Sequence, residues 1–321
     1  MIIKSIEFNE NPLVSVVIPS YNRANSVSQT IESILHQKCN FDYEIIIGDD
    51  LSMDNARVVL LDFQQKYPDQ IKLIFHEQNI GLGANWATCL KYCRGKYLAN
   101  CDNDDYWHNP NKLQLQVDFM ESHPEYGVCH TDYRHHNRDS GQIKEVVVSN
   151  SILDIPLNKA IFTGKFKCSN ATMMYRKELI DTYIHLDDYI NYQFTLQDWN
   201  TWIILSHYTE FYCLPVSTAT IGIDNESITR PGTYEKIEHR FKKEKECYEY
   251  ICTLFPQDLP FEEKEYDKYV ISILLNQAYK KREFKKAKEF GKKSDHTSIK
   301  VFCSRYKILF RIYVLLKQIR N

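Results

Sequence analysis

Four times in the first hundred or so residues a β-branched, apolar run is followed by polar sequence, and between runs the apolar spacing turns helical. No other feature narrows the accessible folds so far. Leu13-Val14-Ser15-Val16-Val17-Ile18 stops at Pro19-Ser20-Tyr21-Asn22-Arg23. Tyr43-Glu44-Ile45-Ile46-Ile47 is closed by Gly48-Asp49-Asp50, Ile71 to Phe75 forms a third run, and Lys96-Tyr97-Leu98-Ala99 leads into Asp102, Asp104 and Asp105. Near-continuous apolar runs are how strands of a parallel sheet read when both faces are covered. A helix from Asn25 or Ser26 to about Gln37 carries Val27, Ile31, Ile34 and Leu35 on one face. A second helix, with Val58, Val59, Leu61 and Phe63, ends before Pro68; a third runs from about Ala84 to Cys93 after the turn Asn79-Ile80-Gly81-Leu82-Gly83. This alternation predicts an α/β fold with a mostly parallel central sheet flanked by helices and right-handed crossovers.

In open α/β sheets ligands bind at the carboxyl ends of the strands. Three strand ends here are polar, and together on one edge they make a site. The most acidic, Asp102-Asn103-Asp104-Asp105, places three carboxylates within four positions. Oxygen ligands suit a hard divalent cation, Mg²⁺ or Mn²⁺, which keeps positions for water and substrate phosphates. A solvated acidic turn capping the helix that follows Pro110 would have the same composition. Asn79-Ile80-Gly81 lacks the glycine pattern of a phosphate loop and reads as a helix-opening turn.

Beyond Lys112 the pattern gives a helix toward Pro124 and a strand over residues 127–133; Arg134 to Gly141, with His135 and His136, reads as a loop. Residues 142–170 are hard to place and read as a strand, a polar loop and an approach to Asn170. Ala171 to Tyr175 reads as a strand, and Leu196 begins a helix with Asp198 in its first turn, where the helix dipole favours a carboxylate. Phe211 to Ile223 is strand-like, residues 224–230 are polar, and after Pro231-Gly232 the pattern is helical to the end.

The formal net charge of −2 hides a division. Residues 280–321 hold 14 Lys and Arg against 3 Asp and Glu, a charge of +11, and residues 1–279 hold 26 against 39, or −13. Such a tail points to an anionic partner. Ser298 to Arg320 interleaves its cations with Val301, Phe302, Tyr306, Ile308, Phe310 and Ile312, as does a helix lying in an anionic membrane surface. A helix docked on the rest of the chain or on a second subunit fits the same pattern. The scattered cysteines lack zinc spacing and read as reduced residues of a cytoplasmic protein. Met1 to Asn11 lacks a secretory signal, and no run reaches the roughly 18 apolar residues of a membrane span.

Four segments in order carry a family resemblance: Val16-Val17-Ile18-Pro19-Ser20-Tyr21-Asn22-Arg23, Glu44-Ile45-Ile46-Ile47-Gly48-Asp49-Asp50-Leu51-Ser52, Gly81-Leu82-Gly83-Ala84-Asn85-Trp86 and Cys101-Asp102-Asn103-Asp104-Asp105-Tyr106-Trp107. Over roughly residues 12–230 the chain resembles the family 2 inverting glycosyltransferases with a GT-A fold. That resemblance implies a catalytic domain over residues 1–232, its nucleotide-sugar half about 12–107 and its acceptor half about 108–232, with a helical, basic region over 233–321. It implies a metal-dependent enzyme that moves a sugar from a nucleotide-diphosphate donor, UDP foremost, to a hydroxyl of a glycan or lipid-linked acceptor in surface polysaccharide synthesis on the cytoplasmic side of the membrane.

By matching, Pro19, Ser20, Tyr21, Asn22, Asp49, Asp50, Asn85, Asp102 and Asn103 contact the nucleotide, with Asp49 or Asp50 on the base. Asp102 and Asp104 take the metal. Asp198 falls where the family places its catalytic base, with Gln197 in place of the usual preceding acid. Asp105, Trp107, Asn170, Trp199 and Asp224 are expected around the site, Asp224 in a segment where many relatives carry His. No nucleic acid is expected as partner. The alternative is a non-catalytic nucleotide-sugar-binding protein whose basic tail docks partners. A nucleotidyltransferase would need a glycine-rich basic loop after the first strand, and Pro19-Ser20-Tyr21-Asn22 is not one.

Overall fold

The computed structural model describes residues 2–4, 12–148, 155–162, 165–223, 233–259, 263–294 and 298–319. The chain divides into two units, Met1–Asn225 and Glu226–Asn321. The polar segment with Asp224 lies outside the described residues.

The first unit opens with β1 (Ile2–Lys4), β2 (Val14–Ser20), α1 (Val27–Leu35), β3 (Tyr43–Asp49), α2 (Ala56–Lys66), β4 (Ile71–Phe75), α3 (Leu82–Leu90) and β5 (Tyr97–Asn100). It continues through β6 (Tyr106–Trp107), α4 (Lys112–Ser122), β7 (Tyr126–Asn137), β8 (Ile143–Val146) and α5 (Leu157–Phe162). A single 3-10 turn at Asn170–Thr172 leads into β9 (Met174–Arg176), α6 (Lys177–Tyr183), α7 (Leu186–Tyr192), α8 (Gln197–Leu205) and β10 (Glu210–Ile223). One mixed sheet holds the strands in the order β1-β4-β3-β2-β5-β9-β7-β10-β6, with β8 paired to β7.

The four strands read from β-branched runs form its parallel part: β2 lies between β3 and β5, and β3 pairs with β4. All seven residues of β2 are buried, as covering both faces requires. Their core combines Val14, Val16, Ile18, Ile45, Ile47, Leu73 and Tyr97 with Val27, Ile31 and Ile34 of α1. β9 runs antiparallel to both β5 and β7, so the parallel core is extended by reversed strands.

His135 and His136, read from sequence as loop residues, belong to β7, opposite Lys144 and Ile143 of β8. Their adjacency is the ordinary face alternation of a strand, held extended by β8 on one side and by β10, at Ile221 and Gly222, on the other. α5 and α7 were likewise illegible.

The second unit consists of α9 (Tyr234–Leu254), α10 (Glu263–Lys280), α11 (Phe284–Lys293), α12 (Ile299–Ser304) and α13 (Lys307–Ile319). Thr233 caps α9 by accepting the Lys236 N–H, and Ser298 caps α12 by accepting the Val301 N–H. Ile237, Phe241, Leu274, Ala278, Phe290, Val301 and Phe310 share its core. No helix among the described residues is long and apolar enough to cross a membrane.

Candidate functional site

The connections β2→β3→β4 step outward on one side of β2, and the chain then returns to place β5 on its other side. The gap between the ends of β2 and β5 is therefore the topological switch point, where such sheets leave a crevice. Ser20 ends β2, and Asn103 belongs to the acidic loop after β5; Asn103 Nδ2 donates to Ser20 Oγ at 3.1 Å across that gap. Ser26 Oγ, at the start of α1, donates to the Asn103 carbonyl at 2.8 Å instead of capping its own helix.

The loops after β2 and β3 are tied to each other. The Asn22 N–H donates to Ser52 Oγ at 2.9 Å, and Asn22 Oδ1 accepts the Met53 N–H at 2.7 Å. Asn22 and Leu51 hold φ of 50° and 60°, a left-handed backbone that non-glycine residues adopt only where surroundings enforce it. Tyr21 stands at the rim, 46% exposed, while Pro19 sits buried in β2 opposite Gly48.

The two acids closing β3 have separate surroundings. Asp50 accepts the Ile80 N–H at 2.7 Å on one oxygen and the Gly81 N–H at 2.9 Å on the other, so it pins the turn before α3. Asp49 Oδ2 accepts from Arg57 Nε at 2.5 Å and from the Ser52 N–H at 3.1 Å. Its Oδ1 is buried without a partner in the structure. Asn85 is 1% exposed; its Nδ2 donates to the Gly48 carbonyl at 2.7 Å, and its Oδ1 lies 3.0 Å from His76 Nε2. That placement makes it a brace beneath the end of β3.

The three acids after β5 diverge. Asp102 Oδ1 accepts from Asn170 Nδ2 at 3.1 Å, Asn170 Oδ1 accepts from Asn100 Nδ2 at 2.9 Å, and Asn100 Oδ1 accepts from Trp86 Nε1 at 3.2 Å. Burial, then the charges of Asp104 and Asp198, push the Asp102 carboxyl up to about 7. Asp104 pairs with Arg23 at 3.1 Å, and Arg138 donates to its carbonyl. Asp105 turns inward: its Oδ1 accepts the Gly222 N–H of β10 at 2.9 Å, and burial raises its pKa well above the carboxylate range.

Asp198, in the first turn of α8, accepts the Trp199 N–H at 2.8 Å, and burial raises its pKa too. Its charge contributes to the raised pKa of Asp102, so the two carboxylates lie within electrostatic reach although 96 residues separate them in sequence. Trp107 is 3% exposed with its indole N–H on the Ala171 carbonyl at 2.9 Å, so it wedges the acidic loop from below. Trp199 is half-buried with its indole N–H on the Ile161 carbonyl at 3.1 Å. Arg23, Asn100 and Trp86 escaped the sequence reading, because what identifies them is a partner distant in the chain.

Among the described residues no three His, Cys, Asp or Glu side chains converge as a ligand set. The donors at the strand end are two carboxylates, Asp102 and Asp104. A Mg²⁺-type ion takes one or two protein carboxylates and completes its shell with water and phosphate. Burial is the first cause of the raised Asp102 pKa and the charges of Asp104 and Asp198 come next; a cation held by the two carboxylates would offset those charges, and in that respect this donor set fits such an ion.

Residues 15–184 match the family model described as glycosyl transferase family 2. An uncharacterised glycosyltransferase of Nostoc sp., alr2836, is 32% identical over 180 residues, covering 54% of each chain. WfgD of Escherichia coli, a UDP-Glc:alpha-D-GlcNAc-diphosphoundecaprenol beta-1,3-glucosyltransferase, is 38% identical over 108 residues, which are 34% of this chain and 41% of WfgD. The chain spans about half or less of the length of the curated relatives it matches, from 18% to 54%. Among solved structures, Staphylococcus aureus TarS superposes with a TM-score of 0.53 at 18% identity, over 83% of this chain and 43% of TarS. That likeness is one of fold.

Proposed function

The chain belongs to glycosyl transferase family 2, with the GT-A fold, and from that premise we propose that it transfers a sugar from a UDP-sugar to a hydroxyl of a glycan or lipid-linked acceptor, with inversion at the anomeric carbon. One observation carries the reading: a half-buried carboxylate in the first turn of α8, Asp198, lies within electrostatic reach of the carboxylate at the switch point, Asp102. In this reading Asp198 is the base that faces the donor diphosphate.

The nucleotide lies over the ends of β2 and β3. Asp49 is the better partner for an N–H of the base, since its Oδ1 is unpartnered while both oxygens of Asp50 hold the Ile80–Gly81 turn. Ser20, Tyr21, Asn22 and Asn103 border the ribose and phosphates. Asp102 and Asp104 would hold a divalent cation, Mn²⁺ or Mg²⁺, which when bound supplies positive charge to the leaving diphosphate. Asn170 fixes the Asp102 carboxylate through the buried amide chain.

Asp198 takes the proton of the acceptor hydroxyl. The freed oxygen attacks the anomeric carbon from the side opposite the diphosphate, and the bond to the phosphate oxygen breaks with its electron pair leaving on the diphosphate. Burial raises the Asp198 pKa and strengthens it as a base at neutral pH. A UDP donor is supported by WfgD, whose own donor is UDP-Glc. WfgD's diphosphoundecaprenol-linked acceptor supports a surface-glycan setting. The ten free thiols fit a cytoplasmic enzyme.

The test is Asp198→Asn. Transfer is expected to fall by about 10²–10⁴-fold with donor affinity unchanged, the share a general base contributes. Full transfer by the variant refutes the assignment. A wild-type chain that binds UDP-sugars yet releases no UDP with any acceptor is the non-catalytic binder instead.

A further inference from the structure

The last two helices carry more apolar surface than their own unit can bury. On one side of α12 and α13, Val301 and Phe310 are 3% and 2% exposed in the core, with Tyr313 and Val314 packed against it. On the other side Ile299 is 75% exposed, Phe302 54%, Tyr306 55%, Ile308 74% and Ile312 46%. Phe302 and Tyr306 sit together, ring centroids 5.5 Å apart. A helix apolar on both sides is one whose outer side meets something other than water.

What covers it is indicated by the charges among these side chains. Arg305, Lys307 and Arg311 are exposed between the apolar groups, within a tail carrying +11 over residues 280–321. A second copy would bring like charge against like charge, and a purely polyanionic partner offers five large apolar side chains nothing to enter. A bilayer of anionic lipid answers both, taking rings and aliphatic chains below its headgroups and cations among them. We infer that the outer face of α12 and α13 is a membrane-docking surface for anionic phospholipid. It lies outside residues 15–184, so its failure would leave the transferase reading untouched.

The experiment is flotation of the full chain with vesicles of phosphatidylcholine alone or mixed with phosphatidylglycerol, with light scattering on the lipid-free chain. Co-flotation with the anionic vesicles only, weakening as salt is raised, is expected. A cation near such a surface is worth about fivefold in partitioning. Arg305→Gln, Lys307→Gln and Arg311→Gln together should therefore lower it by about 100-fold. Phe302→Ser with Ile308→Ser should also abolish flotation, with circular dichroism unchanged because both residues are exposed. A wild-type chain that stays with the soluble fraction overturns the inference without recourse to any variant. So does flotation indifferent to the Ser pair, which is bare charge attraction. A dimer dissolved by that pair assigns the face to a second copy and overturns it as well.

Discussion

Lys112 offers the most exacting test of how the acidic loop is supported. It is the first residue of α4 and is fully buried; its Nζ donates to Gln116 Oε1 at 2.5 Å and lies 4.3 Å from the centroid of the Trp107 ring. Burial pulls the ammonium pKa down from 10.5 to about 7. That gap corresponds to about 5 kcal/mol of resistance to holding the charge inside. Below pH 7 both folded and unfolded chains carry the proton and the full cost is present. Between about 7 and 10.5 the unfolded chain binds the proton and the folded one does not, so stability from this group rises with pH.

Lys112→Met keeps the length and removes the charge. It also strands Gln116 Oε1, at a cost of about 1–3 kcal/mol, and loses a cation–π contact of about 1–2 kcal/mol. At about pH 6 the variant should be the more stable, by up to roughly 3 kcal/mol. By about pH 10 most of the wild-type penalty is gone and the order should invert. Urea denaturation of both proteins across this range gives the difference, in which thiol and phenol titrations common to both cancel. A difference flat with pH, or a variant least stable at acid pH, refutes the reasoning.

Two further outcomes follow from the site. A Cβ at Gly222 would come within 2.7 Å of the Asp104 carbonyl, so Gly222→Ala should displace the acidic loop and lower cation-dependent UDP affinity, read by calorimetry, by at least tenfold, a shift of about 1.4 kcal/mol. Asp102, raised to about 7, makes the folded chain bind more protons than the unfolded one below that value, so this group's contribution to stability is lost as pH rises from about 4 toward 7. A cation needs the carboxylate form, so Mn²⁺-dependent UDP binding should weaken below pH 7 by up to about tenfold per pH unit; pH-independent binding would contradict the placement.

The parts of the fold that could be read in advance are those whose physics is local. β2, β3, β4 and β5 announce themselves because a strand covered on both faces is apolar at most positions, buried polar exceptions such as Ser15 and Glu44 bonding to each other. Helix α1 shows its buried Val27, Ile31 and Ile34 as a period. β9 also reads as a strand, but its reversed direction is set by neighbours distant in sequence, and the mostly exposed hairpin partner β8 carries no apolar run to mark it. The site divides the same way. Polar strand ends locate it, but whether a given acid faces the crevice depends on distant partners: Gly222 turns Asp105 inward, and Ile80 and Gly81 occupy Asp50. The amide chain from Trp86 through Asn100 and Asn170 to Asp102 joins three separate stretches, and no local pattern records it.

The account rests on the acids of the β5 end gripping a cation that in turn grips a diphosphate, and calorimetric titration of UDP with and without Mn²⁺, in the wild type and in Asp104→Ala, addresses that directly. UDP should bind the wild type far more tightly when Mn²⁺ is present, and the ion should make no difference to the variant. Equal UDP affinity with and without the ion, or an unchanged response in Asp104→Ala, would contradict it.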